Sequence, residues 1–140
     1  MSDHLILRIV GKFLIPYIML FALYVQFHGD FGPGGGFQAG VIFASAFVIH
    51  TLLFGVQSTQ KIAPPWVLKI ISSSGVLLYA GVGVATLLMG GLYLDYDVLA
   101  ADPIAGQHIG IILVEFGVGL TVASVMMLLF FTFADRGEQA

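Results

Sequence analysis

Four long apolar segments dominate the pattern of hydrophobic and polar positions along the chain. They cover residues 7–27, 36–56, 67–94 and 107–134, and the polar residues are concentrated between them. A helix needs about 20 apolar residues to cross the hydrocarbon core of a bilayer. Each segment reaches that length, so the pattern predicts an all-α integral membrane protein with four transmembrane helices.

Composition supports the same class. The 140-residue chain is 59% hydrophobic and only 9% charged, whereas a soluble domain carries about 25% charged residues. A soluble fold of this size would expose apolar patches that monomers rarely tolerate in water. The sequence shows no repeat and no separate polar region, so residues 1–140 are predicted to form a single membrane domain surrounded by lipid.

Several function classes are disfavoured by the residues present. The net charge is −3, which provides no basic field for a nucleic acid. The chain has no cysteine, and its four histidines form no metal-binding motif. We also find no Ser/His/Asp set in a recognisable catalytic motif. We therefore predict no enzymatic activity, no bound metal or cofactor, and no nucleic-acid partner.

The charged residues predict an orientation in the membrane. With four crossings, all five basic residues fall on one side. The connections on the other side contain no Lys or Arg, and their charged residues are all aspartates. The positive-inside rule assigns the basic side to the cytoplasm. Both termini are therefore predicted to be cytoplasmic. The basic residues are Arg8, Lys12, Lys61, Lys69 and Arg136.

Glu115 is the most informative polar residue, because it lies in the middle of the fourth apolar segment. A carboxylate near the centre of a membrane helix costs about 2.5–3.5 kcal/mol on insertion scales, and such groups usually serve a function. A carboxylate that exchanges a proton or binds a cation suits a coupled transporter. The alternative is a buried glutamate that forms a hydrogen bond to a neighbouring helix.

Three further residues are candidates for an ion pathway. His108 precedes Glu115 by two helical turns on the same face, about 10 Å along the axis. His108 and Glu115 could be successive stations leading inward from the acidic side, bridged by water or by another subunit; the alternative for His108 is an interfacial anchor. Asp30 in the first connection could also border the pathway. His50 shares a helical stripe with phenylalanines in the second segment, where it could serve a proton path or simply pack.

Small residues on two segments predict close helix packing. Gly40 and Ala44 lie on one face of the second segment, and Gly75, Gly83 and Gly90 lie on one face of the third. Small residues at such spacing let helices approach closely in lipid. These faces could be contacts within the chain or docking surfaces for other chains, and the sequence leaves both interpretations open.

The first connection, residues 28–36, is rich in glycine. It superficially resembles a dinucleotide-binding fingerprint, but that motif requires a strand before it and a soluble βαβ unit around it. Apolar segments flank it here instead. Successive glycines expose backbone groups, and interrupted backbone in transporters often lies near an ion site. The alternative is a tight turn packed on a neighbouring helix.

Two stretches carry a family resemblance. Residues 27–40, with Phe-His-Gly-Asp-Phe-Gly-Pro-Gly-Gly-Gly-Phe-Gln-Ala-Gly, resemble the signature of the B subunit of the Mrp (Mnh) multisubunit cation/proton antiporters. Residues 110–122 resemble the last helix of that family. The chain length, the four segments and the charge pattern also match. By this resemblance Glu115 occupies the acidic position of the family, and the motif residues are Pro33, Gly34, Gly35, Gly36 and Phe37.

The resemblance implies a small, obligate subunit of a complex in a bacterial-type plasma membrane. That complex would exchange sodium for protons, with Na⁺ and H⁺ as transported ions. The partners would be the other antiporter subunits, and the small subunits would serve assembly and the cation route. A purely structural subunit of a related complex, such as a membrane-bound hydrogenase, is the alternative. A homodimeric small multidrug transporter is disfavoured, because the first segment lacks a carboxylate.

Overall fold

The computed structural model describes residues 2–29 and 34–138. Four long helices in this part are each long and apolar enough to cross a membrane. A short helix and one 3-10 turn complete the regular structure, and no strand occurs among the described residues. The predicted all-α membrane fold is therefore confirmed. The helices are α1 (Ser2–His28), α2 (Gly36–Phe54), α3 (Val56–Ile62), α4 (Pro65–Leu88) and α5 (Pro103–Glu138), and the 3-10 turn is Tyr96–Leu99.

The second apolar segment contains a break that its hydrophobic pattern does not reveal. Helix α2 ends at Phe54, and Gly55 adopts a φ of 89° before α3 begins. Glycine takes this left-handed conformation without the steric penalty that a side chain would add. The backbone N–H of Gly55 still donates to the carbonyl of Thr51 at 2.8 Å. The chain therefore turns at Gly55 and continues as a separate short helix.

The third helix is shorter than the segment predicted for it, which extends to residue 94. Helix α4 ends at Leu88, and Gly90 has a φ of 91°. The N–H of Gly90 donates to the carbonyl of Leu87, and the N–H of Gly91 donates to that of Thr86, both at 3.1 Å. These two bonds form a Schellman motif. Gly90 was predicted to pack against another helix, and it terminates α4 instead.

The four long helices form a row. Helix α1 packs on α2, α2 packs on α5, and α5 packs on α4, whereas α1 touches α5 only slightly. Gly36 meets the backbone of Glu115 and Gly40 meets that of Gly119, so α2 and α5 run parallel. Helices α2 and α5 therefore occupy the centre of the row, and Glu115 lies at their contact.

Buried apolar side chains cluster at the end of the row where α3 lies. This cluster packs the turn between α3 and α4 against α2 and α5. At the opposite end of the row, α2 and α5 contact each other through glycines. The outer faces of the helices are apolar and exposed, as expected for surfaces that lipid covers. The buried residues of the cluster are Ala44, Val56, Ala63, Leu68, Met127 and Phe131.

Candidate functional site

The side chain of Glu115 points at the turn between α1 and α2. A Cβ atom added to Gly29 would lie 2.6 Å from its Oε2 atom, and a Cβ atom added to Gly35 would lie 3.2 Å from its Oε1 atom. Glu115 itself is half-buried. The carboxylate is thus held between glycine backbone on the two sides of the first connection, in space that side chains at these positions would occupy.

The same carboxylate lies at the amino-terminal end of α2. Gly35 is the N-cap residue of the helix, and because it is a glycine it has no side chain to form a capping hydrogen bond. The first turn of a helix has free N–H groups and a partial positive charge. The Glu115 carboxylate of α5 therefore lies at the amino-terminal end of α2, where the helix dipole stabilises a negative charge.

Close backbone contact explains how α2 comes so near to α5. A Cβ atom on Gly36 would overlap the carbonyl oxygen of Glu115, and one on Gly40 would lie 2.8 Å from the carbonyl oxygen of Gly119. These neighbours are backbone atoms, which cannot rotate away as a side chain can. Glycine at positions 36 and 40 is what lets the two helices meet at the level of Glu115.

Two amide side chains near this turn were not among the predicted residues. The Oε1 atom of Gln26 lies against Gly119, one turn after Glu115. The Oε1 atom of Gln38 lies 3.8 Å from the Cβ position of Gly35. The sequence does contain a signal for Gln26, which is the only amide within the first apolar segment.

An apolar cavity of about 380 Å³ adjoins this polar region. Gln26 lies at its border, and apolar residues such as Phe43, Leu68 and Met127 form most of its wall. Ser124 also lines the cavity, but its hydroxyl donates to the carbonyl of Leu120 at 2.7 Å. The polar groups around Glu115 are therefore not continued through this cavity.

Other residues of the family motif lie around the same turn. Gly34 packs on α1, because a Cβ atom there would lie 3.1 Å from Cγ1 of Val25. The Phe37 ring is exposed on the outside of α2. Asp30 and Pro33 lie outside the described residues. His108 is exposed on α5, seven residues before Glu115.

His50 is far from Glu115 and takes part in a different contact. It lies fourteen residues after Gly36, which is about 21 Å along α2. Its Nδ1 atom is 2.7 Å from Oγ1 of Thr59, and the Thr59 hydroxyl donates to the carbonyl of Gly55 at 3.2 Å. His50 therefore connects α2 to α3 across the break at Gly55.

The glycines of α4 lie at two separate contacts. Gly75 faces Thr121 and the carbonyl oxygen of Gly117 on α5, so it permits the approach of α4 to α5. Gly83 instead accommodates the ring of Tyr93, which follows the end of α4. These contacts hold α4 and the loop after it against the central pair of helices.

The loop between α4 and α5 folds over the start of α5. The Tyr96 ring packs against Gly110, and the Nε2 group of Gln107 donates to Oδ1 of Asp97 at 2.7 Å. Burial, and then the neighbouring phenols of Tyr79 and Tyr93, raise the pKa of Tyr96. The Tyr96 hydroxyl therefore stays protonated, and available as a hydrogen-bond donor, to a higher pH than an exposed tyrosine.

Comparison with known proteins assigns the chain to a family. A family model described as "Domain related to MnhB subunit of Na+/H+ antiporter" matches residues 6–128, which include the glycine turn and Glu115. The chain belongs to the MnhB family. Its relatives include proteins named "Putative antiporter subunit mnhB2" from Staphylococcus aureus strains Newman, USA300 and COL. Each is 32% identical over 129 residues, which cover 90% of this chain and 91% of the relative.

Membership of the MnhB family and the four apolar helices together identify a multi-pass protein of the plasma membrane. The family description concerns transport rather than catalysis. Within residues 2–29 and 34–138, no three His, Cys, Asp or Glu side chains come together as ligands for a metal ion. Among the described residues, the polar region at Glu115 combines one carboxylate with amide and backbone groups.

Proposed function

We propose that this MnhB-family chain is a small, non-catalytic subunit of a multisubunit sodium/proton antiporter, and that Glu115 borders the cation path of the complex. The family match and the mnhB2 relatives support the role as a subunit. The position of the Glu115 carboxylate between Gly29 and Gly35 supports the role in ion handling.

The free-energy cost of placing a charged carboxylate in the membrane supports a site that exchanges ions. A charged side chain costs up to about 2.5–3.5 kcal/mol at the centre of a membrane helix, and Glu115 lies toward one end of its span, beside the glycine turn. The end of α2 offsets only about 0.3–1 kcal/mol of this cost, and about 2 kcal/mol in favourable geometry. The remainder has to come from hydrogen bonds, a proton or a cation. A proton and a sodium ion competing for this carboxylate would couple their movements.

The surroundings of Glu115 supply ligands of the appropriate chemical kind. Hard cations bind carboxylate, amide and backbone carbonyl oxygen atoms. Gln26 and Gln38 bring amide oxygens to the glycine turn, where Glu115 brings its carboxylate. Sodium and protons are the transported species in this proposal, and no resident cofactor takes part.

A complete cation path requires other subunits. The cavity next to Gln26 has an almost entirely apolar wall, and a charged ion crosses such a space only at high cost. The polar region of this chain would therefore form one wall of the path, and partner subunits would form the rest. This division of the path explains why a chain of only 140 residues would act within a complex.

The test is the substitution Glu115→Gln in the assembled complex, which keeps the size of the side chain and removes its charge. We expect the complex to assemble while its sodium-dependent proton exchange falls at least about tenfold, as for loss of about 1.4 kcal/mol. Glu115→Asp keeps the charge and should retain part of the activity. Asp135→Asn removes an exposed carboxylate from the same helix and should leave exchange unchanged.

A structural role for Glu115 is the competing proposal, because the carboxylate also lies where it can cap α2. Under that proposal Glu115→Gln lowers the yield of complex, but the complex that remains exchanges sodium for protons normally. Exchange is therefore measured per assembled complex in membrane vesicles. Normal exchange and normal sodium affinity would remove Glu115 from the ion path.

A further inference from the structure

The apolar cavity beside Gln26 is long and open on one side. All five α-helices contribute to its wall, and the residues from α5 run from Phe116 to Met127, which is about 16 Å along the helix axis. Leu23, Ile62 and Phe116 line the cavity and are themselves exposed, so they form its open side. Because the chain is a multi-pass membrane protein, lipid or another subunit faces this opening.

The dimensions of the cavity suit a single hydrocarbon chain. A helix of the same length occupies about 1,300 Å³, which is more than three times the cavity volume of about 380 Å³. The cavity is therefore too small for a whole helix. One leaflet contributes about 15 Å to the hydrocarbon core of a bilayer, and its acyl chains extend over that distance. The length of the cavity along α5 matches the length of such a chain.

The wall of the cavity has the chemistry of a site for hydrocarbon. Phe43, Leu68 and Met127 are typical of its lining, and the Ser124 hydroxyl in the wall already donates to the carbonyl of Leu120. Apolar side chains that face an empty space lose dispersion contacts on that side. An acyl chain restores those contacts and requires no hydrogen bond from the wall.

Two lysines lie at the α3 end of the cavity. Lys61 directly precedes the α3 residue that lines it. Lys12 precedes Leu23 by 11 residues, which is about three turns, so the two residues share one face of α1. A side chain at Gly11 would overlap Leu53, next to the end of α2. Lys12 therefore lies at the level where α2 passes into α3.

The charges of these two lysines are available to a ligand. Both side chains are exposed, and neither forms an ion pair with another residue in the part of the chain that the structure describes. Basic pockets between membrane helices bind the headgroups of anionic lipids. The long lysine side chain can also lie along apolar surface while its ammonium group reaches a phosphate. The two lysines thus favour a ligand that is anionic at one end and apolar along its length.

We propose that the apolar cavity binds an anionic phospholipid of the membrane, with one acyl chain along α5 and the phosphate group at Lys12 and Lys61. The acyl chain fills a space that is too small for a helix, and the phosphate complements the two positive charges. The site is separate from the proposed ion exchange and does not require Glu115. The bound chain also excludes water from the apolar space beside Gln26.

A photoactivatable lipid tests this site in membrane vesicles that contain the assembled complex. The probe is phosphatidylglycerol with a diazirine group near the end of one acyl chain. We expect it to label the α5 peptide that contains residues 116–127. Unlabelled phosphatidylglycerol should displace the probe, whereas phosphatidylcholine, which has no net charge, should displace it much less. Labelling confined to other parts of the chain would overturn the inference, as would equal displacement by the two lipids.

Matched lysine substitutions test the headgroup contact. Lys12→Gln and Lys61→Gln should each weaken phosphatidylglycerol binding about fivefold, the usual contribution of one basic residue to an anionic membrane surface. Lys69→Gln removes the same charge from a residue about 150° around α4 from those that line the cavity. It should leave binding unchanged. Equal effects of all three substitutions would indicate general surface charge and overturn the inference.

The cavity itself is tested by Ala123→Leu, which adds a larger side chain to a half-buried position in the wall. It should reduce labelling of α5, whereas Ala80→Leu at a half-buried position outside the cavity should not. A photo-crosslinking amino acid at Leu23 provides the reciprocal measurement, and its product should be a lipid adduct. A peptide of another subunit or of a second copy of this chain at Leu23 would overturn the inference.

Discussion

The Glu115 carboxylate fits beside the turn between α1 and α2 because the residues next to it are glycines, which have no Cβ atom. Its carboxylate occupies space next to Gly29 and Gly35 that a methyl group would fill. The negative charge is thereby placed at the end of α2, where the helix dipole favours it. The local sequence around position 115 is apolar on both sides, and the glycines beside the carboxylate, Gly29 and Gly35, are about 80 positions away in the sequence.

Gly29→Ala tests whether that space matters. The added methyl group would lie 2.6 Å from Oε2 of Glu115, so the carboxylate has to move. We expect a lower apparent sodium affinity per assembled complex, in the same direction as for Glu115→Gln. The double variant should be no worse than Glu115→Gln alone, because residues in contact are not additive.

The control for this cycle is Gly81→Ala, since a methyl group at Gly81 meets nothing within 4 Å. It should leave sodium affinity unchanged. Additive losses in the double variant of Gly29 and Glu115 would show that Gly29 acts independently of the carboxylate.

The contact between α2 and α5 depends on the backbone approach at Gly36 and Gly40. The neighbouring atoms are the carbonyl oxygens of Glu115 and Gly119, so a larger residue would have to separate the helices. Separation would also withdraw the end of α2 from the Glu115 carboxylate. Packing and the candidate ion site are therefore coupled through this one helix pair.

Gly40→Ala is expected to lower the free energy of unfolding by about 1–3 kcal/mol, the usual cost of overpacking a tight contact. Gly81→Ala makes the same change within α4, where there is room, and glycine costs up to about 1 kcal/mol relative to alanine in a helix. Its stability should be equal or slightly higher. Reversible unfolding in mixed micelles provides the measurement, and equal stability of both variants would contradict the packing argument.

At the scale of the whole molecule, the row of helices determines which groups share a membrane face. If the chain crosses four times, the glycine turn and the loop after α4 lie on one side. The turn after α2 and both termini lie on the other. We predict that this second side is cytoplasmic, because the basic residues lie there. Glu115 would then lie nearer to the outer side, because it is adjacent to the glycine turn.

Single cysteines test this orientation cleanly, because the chain contains none. Both Gln57 and Ala101 are exposed. In intact cells, a membrane-impermeant maleimide should label Ala101→Cys, whereas Gln57→Cys should react only after the membrane is permeabilised. The reverse pattern would invert the orientation, and equal labelling of both in intact cells would contradict four crossings.

The sequence could predict the features that depend on local composition. Four apolar segments each exceed the length that crosses a bilayer, and this length requirement acts on each segment separately. The cost of a charge in hydrocarbon likewise singles out Glu115 without reference to any partner. Helix ends were predicted less well, because Gly55 and Gly90 end helices through a positive φ that the hydrophobic pattern does not encode.

The sequence therefore identified the family motif and the acidic residue. Only the tertiary structure determined that the two lie in contact. Periodicity shows which face of a helix is small, but many pairings of such faces are equally compatible with it. Only the packing of α2 on α5 brings the glycine turn to Glu115 and keeps His50 about 21 Å along α2 from Gly36. The physical reason is that contacts between distant residues depend on shape complementarity across helices, which no single segment contains.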